Sequence, residues 1–210
     1  MADIFDEINE ELKQDRMTAL WQRYGKFLIA GVVAIVVGVS LSQGYSYYTS
    51  QRDARSAEAF FQAILSDDVT ASLATAAPEL TDGYALLAEF RSAAAQAQDG
   101  EAVAAEQSYL SLAERTDIPQ IYRDIALLLS VMHAPETADA GELLARLEPL
   151  TAASSSLQGL ALEQAAGLDL RRGDMAAAID RLNKLVALTE IPSGLRQRAA
   201  QVLSVISEDQ

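Results

Sequence analysis

The sequence predicts an all-α protein, in which one N-terminal transmembrane helix is followed by a stack of antiparallel helical hairpins and a C-terminal capping helix. Three observations predict this class. Residues 27–51 contain no charged side chain and begin with a long apolar run. From Arg52 onward the chain is rich in Ala, Leu, Glu and Gln, which favour helices, and strand-like alternation is hard to find. Proline and glycine interrupt this part at intervals that leave helices of about 12 to 18 residues.

The charge-free segment has the length of one bilayer crossing. At about 1.5 Å per residue, a helix from Tyr24 to Tyr45 covers roughly 31 Å, close to the ~30 Å hydrocarbon thickness of a membrane. A lipid-exposed backbone must satisfy its own hydrogen bonds, and no second apolar segment follows, so a single helix is expected. The chain therefore divides into an amphipathic segment at 1–23, a transmembrane helix at 24–48 and a helical domain at 49–210.

Lysine and arginine are more frequent before this segment than after it. Four cations precede it, whereas only Arg52 and Arg55 follow closely. Because cytoplasmic flanks carry the excess of Lys and Arg, we expect the N-terminus in the cytoplasm and the domain on the opposite side of the membrane. Aromatic and cationic side chains at both ends predict the two membrane interfaces: Trp21, Tyr24, Lys26, Tyr45, Tyr47 and Tyr48.

A cleaved secretory signal is the alternative interpretation of the apolar segment. Its core of about 15 residues is also long enough for a signal peptide, and residues 40–42 could form a cleavage site. Against this, the segment that precedes the core is long and rich in carboxylates, whereas signal peptides begin with a short basic region. Ile4, Ile8 and Leu12 recur every four residues among those carboxylates, which predicts a short amphipathic helix that could lie on a partner or on the membrane.

Small residues recur within the predicted span, at Ala30, Gly31, Ala34 and Gly38. Three of them are spaced by four positions, so they share one face of a helix. Such a face lets a second helix approach closely and predicts packing against another transmembrane helix. Small residues are also common in transmembrane helices that have no specific partner, so a lipid-facing role stays open.

The charge of the chain excludes one class of partner. The formal net charge is −14. From Thr49 onward the chain has 24 Asp and Glu but only 12 Arg and Lys, so this part would repel a phosphate backbone and we expect no nucleic-acid binding. The chain has no cysteine, which excludes disulfides and thiol sites.

An internal repetition indicates the type of helical stack. Residues 98–105 can be laid over residues 171–178, at an offset of 73 residues. This offset is about two periods of a tetratricopeptide repeat, whose unit has about 34 residues. The glycine fits the turn after a first helix, and the small alanine lets the second helix approach the first. The equivalent pairs, which predict the packing between repeats, are Gly100 and Gly173, Ala105 and Ala178, and Tyr109 and Leu182.

The repeats predict a tetratricopeptide-like domain of successive helical pairs. These pairs are residues 52–67 with a shorter following helix, 81–115, 118–151 and 156–190. Residues 193–208 would then cap the stack. The apolar side chains that this last helix is predicted to bury are Leu195, Ala199, Val202, Leu203 and Ile206. The polar side chains that this helix is predicted to expose are Arg196, Arg198 and Gln201.

Two groups of residues resemble those of a known family. Residues 20–26, Leu-Trp-Gln-Arg-Tyr-Gly-Lys, lead straight into the apolar segment and follow the acidic residues 4–12. Residues 170–174, Ala178 and residues 191–199 are similar to a closing repeat and its cap. Together they resemble the ancillary Sec translocon subunits of proteobacteria, which have a single anchor and a tetratricopeptide-like domain. The resemblance covers nearly the whole chain.

The resemblance implies a single-pass protein of the bacterial inner membrane, with a cytoplasmic N-terminus and a periplasmic domain. It implies association with the Sec translocon and with a membrane-anchored periplasmic chaperone of the peptidyl-prolyl isomerase type. The family is described as interaction modules without catalysis, so it implies no active-site residue, cofactor or small-molecule substrate. One departure is Leu170, where consensus repeats often carry an aromatic residue, and it leaves the identity of the partners open.

The residues themselves offer no catalytic machinery. His133 is the single histidine, so a site with several histidine ligands is impossible, and a histidine at the end of a helix is the better interpretation. The sequence contains no phosphate-binding loop, nucleophile elbow or calcium-binding loop motif. An enzyme is therefore not expected.

Two functions remain. The first is an interaction protein, in which the span fixes the domain beside a membrane complex and the helical stack holds a segment of a partner. The second is a structural accessory subunit of another inner-membrane assembly, respiratory or envelope, in which the anchor helix makes most of the contacts. Both place the protein in contact with the lipid bilayer.

Overall fold

The computed structural model describes the backbone of residues 3–152 and 155–208, with side chains at residue 31, at 35–152 and at 155–207. All regular secondary structure within these ranges is helical, which confirms the predicted all-α class. The α-helices are α1 (Asp3–Ile64), α2 (Val69–Ala76), α3 (Asp82–Gln98), α4 (Ala102–Glu114), α5 (Gln120–Met132), α6 (Ala140–Thr151), α7 (Gln158–Arg171), α8 (Met175–Ala187) and α9 (Ser193–Glu208), and a short 3-10 helix follows α2 at Ala77–Glu79.

The chain forms two compact units, one up to Arg55 and one from Ser56 onward. In the first unit, the described apolar side chains of α1 are at least half exposed: Ile35, Val36, Val37, Val39 and Leu41. Among the residues whose side chains are described, no helix meets the length and hydropathy needed to span a bilayer. The side chains of residues 24–30 and 32–34, within the predicted span, lie outside the described part.

In the second unit each helix packs mainly on its neighbours in the chain, as expected for a stack of hairpins. The predicted pairs correspond to the end of α1 with α2, α3 with α4, α5 with α6, and α7 with α8. Helix α5 also contacts α7, and α7 contacts α9. We therefore call α3, α5, α7 and α9 the first-helix layer, and α4, α6 and α8 the second-helix layer.

Both hairpins that carry the internal repetition turn at a glycine with a left-handed backbone. The φ angle is +84° at Gly100 and +77° at Gly173, a region that side chains with a Cβ rarely adopt. After α7, the N–H of Asp174 donates to the carbonyl of Asp169 and the N–H of Gly173 donates to that of Leu170. These two bonds satisfy carbonyls that the helix end would leave without partners, and the same pattern occurs after α3.

The repetition extends further than the sequence overlay. Helices α7, α8 and α9 repeat α3, α4 and α5 at the same offset, so α9 is the equivalent of α5. The dipeptide Ile118-Pro119 before α5 recurs as Ile191-Pro192 before α9. Proline at the start of a helix has no N–H to leave unpaired, which explains why both helices begin there.

An arginine at the start of α5 and of α9 makes the same contact in both copies. Arg123 donates from a terminal nitrogen to the carbonyl of Arg115 at 3.3 Å, and Arg196 donates to the carbonyl of Leu188 at 2.8 Å. Both acceptors are the capping residues at the C-terminal ends of α4 and α8. A positive charge stabilises the negative end of a helix dipole, so this contact joins each hairpin to the helix that follows it.

At one pair of equivalent positions, the large side chain that fills the core comes from the first helix in one copy and from the third helix in the other. Gly159 of α7 occupies the position of Leu86 in α3, and Leu195 of α9 occupies the position of Tyr122 in α5. A Cβ on Gly159 would lie 2.9 Å from Cδ2 of Leu195, which is 4% exposed. In the first copy Leu86 is buried and Tyr122 is 38% exposed. The core space that Leu86 fills in one copy is therefore filled by Leu195 in the other.

The face of α5 that packs on α6 is apolar, whereas the corresponding face of α9 is polar. Leu128 and Val131 of α5 are buried and belong to the cluster that packs on α6. Their equivalents in α9 are Gln201 and Ser204, and both are exposed. A polar outer face is what the terminal helix of a repeat stack requires.

The prediction for the buried side of α9 is wrong at one residue. Leu195, Ala199 and Ile206 are buried as predicted and Leu203 is partly buried, but Val202 is 38% exposed. Helical periodicity places Val202 near the apolar side, but α7 and α8, the described helices that pack on α9, do not cover the edge of that side. Of the residues predicted to be exposed, Arg198 and Gln201 are exposed and Arg196 is partly buried, because it reaches the end of α8.

Candidate interaction surface

The predicted packing residues of the repeats lie in the turns and the core. Gly100 and Gly173 form the two left-handed turns, as described above. The remaining four are almost completely buried on the second helices: Ala105, Tyr109, Ala178 and Leu182. These residues therefore hold the stack together, and a surface for partners has to be found elsewhere.

The predicted membrane residues are described only in part. Tyr45, Tyr47 and Tyr48 are all at least 60% exposed, and the guanidinium carbon of Arg52 lies 6.0 Å from the centre of the Tyr48 ring. A Cβ built on Gly31 or on Gly38 would meet nothing within 4 Å, so both positions are open. Trp21, Tyr24, Lys26, Ala30 and Ala34 lie outside the residues with described side chains.

His133 ends α5 and stacks on a buried tyrosine. Its ring centre lies 5.6 Å from that of Tyr109, with an angle of 21° between the planes. Phe90 contacts the same tyrosine from α3, at 6.2 Å. The histidine thus packs as part of an aromatic cluster at the end of a helix. Within the described residues, no group of three or more His, Asp or Glu is arranged to hold a metal ion.

Burial of Tyr109 predicts a loss of stability at alkaline pH. Burial raises the pKa of Tyr109 above its usual value of about 10, while the positive charge of Arg91 opposes this shift. Below pH 10 both the folded and the unfolded chain keep the phenol proton, so this group adds no pH dependence. Above it the unfolded chain releases the proton first, so the free energy of unfolding falls as pH rises.

Urea unfolding at pH 8, 10 and 11 measures this effect. The free energy of unfolding of Tyr109→Phe is expected to fall less steeply with pH than that of the unmodified protein, because the phenylalanine ring has no proton to lose. Arg91→Gln is the companion variant: removing the opposing charge raises the pKa of Tyr109 further and deepens the alkaline loss. Equal slopes for Tyr109→Phe and the unmodified protein would contradict the assignment.

Exposed apolar side chains are concentrated on the first-helix layer. Eight large apolar side chains of α3 to α9 are exposed, and seven of them lie on this layer. The eighth, Val103, lies on α4. Contiguous exposed apolar surface on a folded domain marks an interaction site more often than scattered single residues do. The seven are Leu87, Ile121, Tyr122, Met132, Leu160, Val202 and Val205.

The centre of this surface is one face of α5. Ile121, Ile125 and Met132 are spaced by four and seven positions, so they lie on the same side of the helix. Ile121 is 42% exposed, Met132 is 48% exposed and Ile125 is partly buried. A helix in a hairpin stack normally turns polar side chains to water. Here the solvent-facing side of α5 carries three apolar side chains beside the polar Gln120 and Asp124.

Both copies of the repeat present a leucine beside α5. Leu87 of α3 and Leu160 of α7 are equivalent positions and are 48% and 41% exposed. Leu87, Ile121 and Leu160 are thus exposed aliphatic side chains on three successive first helices. We call this set, with Met132, the aliphatic row.

A concave feature lies between α3 and α4. It is an open groove of about 570 Å³, lined mainly by serine, glutamine and glutamate side chains such as Ser92, Gln107 and Ser111. Gln96 accepts a hydrogen bond from Ser108 at 2.8 Å on its wall. Most residues that line the groove have polar side chains, whereas those of the aliphatic row are apolar, so the row is the stronger candidate for binding a protein segment.

Ion pairs between helices differ between the copies. Asp169 of α7 is 2% exposed and accepts from Nε of Arg181 in α8 at 2.6 Å. The equivalent pair in the first copy is Gln96 and Ser108, a neutral hydrogen bond. The charged pair could be recognised in the sequence only as a carboxylate in an otherwise apolar stretch, and the sequence analysis did not identify it.

The arrangement of the domain defines a class: a helical-repeat interaction protein, with short hairpins, a buried core of small and aliphatic residues, and an exposed apolar face on one layer. A family model, the tetratricopeptide repeat-like domain, matches residues 18–184. The chain belongs to this family, which confirms the predicted tetratricopeptide-like fold. Neither the curated proteins nor the solved structures contain a match to the chain. Domains of this class generally act as scaffolds rather than catalysts, and they bind other proteins.

Proposed function

We propose that the protein is a non-catalytic, membrane-anchored interaction protein whose first-helix layer binds a segment of a partner protein. The observation that carries this proposal is the concentration of exposed apolar side chains on that layer. Fully burying an exposed aliphatic side chain contributes roughly 1.5–3 kcal/mol, and the side chains of the aliphatic row are 41–48% exposed, so each has about half of that contribution left to gain on binding.

The proposed anchor is the helix at residues 24–48 of a bacterial inner membrane, with the N-terminus cytoplasmic and the domain periplasmic. Several observations support it: the absence of charge from 27 to 51, the helical backbone through this segment, and the exposed apolar side chains from Ile35 to Leu41. The family match begins at residue 18, so this segment lies inside the matched region.

We further propose the finer role of an ancillary subunit of the Sec translocon that links it to periplasmic chaperones. The support is the resemblance of residues 20–26 and of the closing repeat to the translocon-associated family. This role needs a surface for a second protein, and the aliphatic row offers one.

Site-specific photo-crosslinking in native membranes tests this function. A photoreactive amino acid at Ile121 is expected to capture translocon subunits or a membrane-anchored chaperone. The matched control is the same substitution at Val103, which is exposed to a similar degree but lies on the second-helix layer. Equal yields from the two positions, or capture of neither class of protein from Ile121, would contradict the proposal.

The alternative is a structural accessory subunit of a respiratory or envelope complex. The open faces of Gly31 and Gly38 favour it, because they offer a helix surface for close packing. Exchanging residues 24–48 for an unrelated transmembrane sequence separates the two functions. Association that survives the exchange assigns recognition to the domain, and association that is lost assigns it to the helix.

A further inference from the structure

We propose that the segment bound by the first-helix layer is acidic and aliphatic: an extended stretch with carboxylates at both ends and aliphatic side chains between them. This inference rests on the proposed function and specifies the chemistry of the partner. It follows from the distribution of charge between the two layers, which the net charge of the chain conceals.

Arginines without a carboxylate partner lie on the first-helix layer. Of the ten Lys and Arg between residues 56 and 207, five form an ion pair with a described carboxylate. The other five all belong to α3, α5, α7, the residue that caps α7, or α9: Arg91, Arg123, Arg171, Arg172 and Arg196. The hydrogen bonds that hold Arg123, Arg171 and Arg196 are to carbonyl or amide oxygens, which leave the positive charge in place.

Three of the five carboxylates on α3, α5, α7 and α9 whose side chains are described form ion pairs: Glu89 with Arg115, Glu163 with Arg198, and the buried Asp169 with Arg181. Asp82 and Asp124 form no ion pair with a described residue. The second-helix layer has the opposite balance. All three of its cations are paired, while several of its carboxylates form no ion pair with a described residue: Glu114, Glu142 and Glu148. With five unpaired arginines against two unpaired carboxylates, the described part of the first-helix layer has an excess of unpaired positive charge in a protein of net charge −14.

Local charge outweighs the net charge at the distances of a bound segment. At physiological ionic strength charges more than about 8 Å apart are largely screened, so a ligand on this layer responds to the charges beside it. A carboxylate within hydrogen-bonding distance of an arginine gains a charge-assisted bond. The distant carboxylates of the second-helix layer contribute little at that range.

Two of these arginines share a helix face with a leucine of the aliphatic row. Arg91 follows Leu87 by four positions, about 6 Å along α3, and Arg171 follows Leu160 by eleven, about 16 Å along α7. Between them lies α5, whose exposed side chains include Ile121 and Met132, and whose Asp124 accepts a hydrogen bond from Gln120. A segment that runs over α3, α5 and α7 from Arg91 to Arg171 would therefore meet positive charge at both ends and the apolar side chains of α5 between them.

The spacing favours an extended segment. Packed helices lie about 8–10 Å apart. A segment in the extended polyproline II conformation advances about 3.1 Å per residue with three residues per turn, so every third side chain points to the same side and meets the next first helix. The peptide probe that follows from this geometry is Glu-Glu-Leu-Ser-Gly-Leu-Ser-Gly-Leu-Glu-Glu, with three leucines at intervals of three.

Binding of labelled peptides to the full chain in phosphatidylcholine nanodiscs tests the inference. The acidic peptide is expected to bind about tenfold more tightly than the same peptide with Lys in place of Glu, because several rim charges act together. Replacing its leucines by serine is expected to abolish binding. Equal binding of the acidic and basic peptides would overturn the proposal.

Two charge reversals locate the effect. Arg91→Glu is expected to weaken binding of the acidic peptide about fivefold, and Lys184→Glu, on the second-helix layer, about twofold or less. Both substitutions change the net charge by the same amount, so equal losses would overturn the proposal. Thermal melts of the two variants, expected to match that of the unmodified protein within a few degrees, show that the loss is not one of folding. Arg171→Glu repeats the test on α7.

The outcome also separates this inference from the proposed function. If photo-crosslinks from Ile121 persist but the peptides do not discriminate by charge, the surface binds proteins and only the acidic partner is wrong. If crosslinks and peptide binding both fail, the proposed function is wrong as well. If phosphatidylglycerol vesicles bind the layer and the acidic peptide does not, the layer recognises lipid and the proposal is overturned.

Discussion

Replacing Asp169 with alanine is expected to destabilise the domain by about 3 kcal/mol. The side chain is buried, and its partner Arg181 is 23% exposed, so removal of the carboxylate leaves a partly buried guanidinium without its counter-charge. Breaking a buried ion pair in this way costs about 3–5 kcal/mol, and the partial exposure of the arginine places the loss at the lower end. Urea unfolding measures it.

The internal repetition supplies a matched control for this variant. Gln96→Ala removes the equivalent hydrogen bond, which joins two neutral side chains at 2.8 Å, and is expected to cost only about 1 kcal/mol. The double substitution Asp169→Gln with Arg181→Ser places the neutral pair in the second copy. It is expected to recover most of the stability that Asp169→Ala loses. Equal losses for Asp169→Ala and Gln96→Ala would contradict the assigned importance of the charged pair.

Replacing Gly159 with leucine is expected to cost about 3 kcal/mol, because the space for the side chain is already filled. A Cβ alone would approach Leu195 to 2.9 Å and Ile191 to 3.1 Å. Overpacking of a tight core typically costs 1–3 kcal/mol, and three further carbon atoms place this change at the upper end. Thermal unfolding measures the loss.

Gly167→Ala, on the same helix, is the control, since a Cβ there meets nothing within 4 Å. It is expected to stabilise the domain by about 0.5–1 kcal/mol through the helix propensity of alanine. Adding Leu195→Ala to Gly159→Leu is expected to recover part of the loss, because the two side chains compete for one space. If the double variant is no more stable than Gly159→Leu alone, steric competition is not the cause.

The sequence is sufficient to predict the hairpins and the closing of the stack. Left-handed turns require glycine, and close helix contacts require alanine, so Gly100 and Gly173, or Ala105 and Ala178, keep the same residue type in both copies. The two copies can therefore be aligned at these positions from the sequence alone. The recurrence of Ile-Pro before α5 and α9 is a further signal of this kind, and it was available in the sequence.

The rest of the repetition is hard to recognise in the sequence, because some contacting pairs of residues are replaced together by a different kind of pair in the other copy. Glu89 forms an ion pair with Arg115 in the first copy, whereas the equivalent positions in the second are Leu162 and Leu188, both in one apolar cluster. Both positions change from a charged to an apolar residue, yet the two residues within each copy still complement each other. An overlay of two segments compares single positions, so it cannot recognise a match between residues far apart in the chain.

The candidate interaction surface also could not be predicted from the pattern. Leu87 and Ile121 stand among apolar residues with helical spacing, a pattern that equally predicts core packing. Only the position of the neighbouring helices decides which of these side chains remains exposed. Val202 shows the same limit, since it is exposed because neither α7 nor α8 covers that edge of α9.

The two polar residues on the outer face of α9 have a consequence for how molecules meet one another. Because α9 has the form of α5, an apolar face there would accept a helix of the α6 type from a neighbouring molecule, head to tail. Such a contact does not close on itself, and repeated end to end it would grow into a fibre. The exposed, polar Gln201 and Ser204 disfavour such a contact, because burying them against an apolar helix would leave their polar atoms without water.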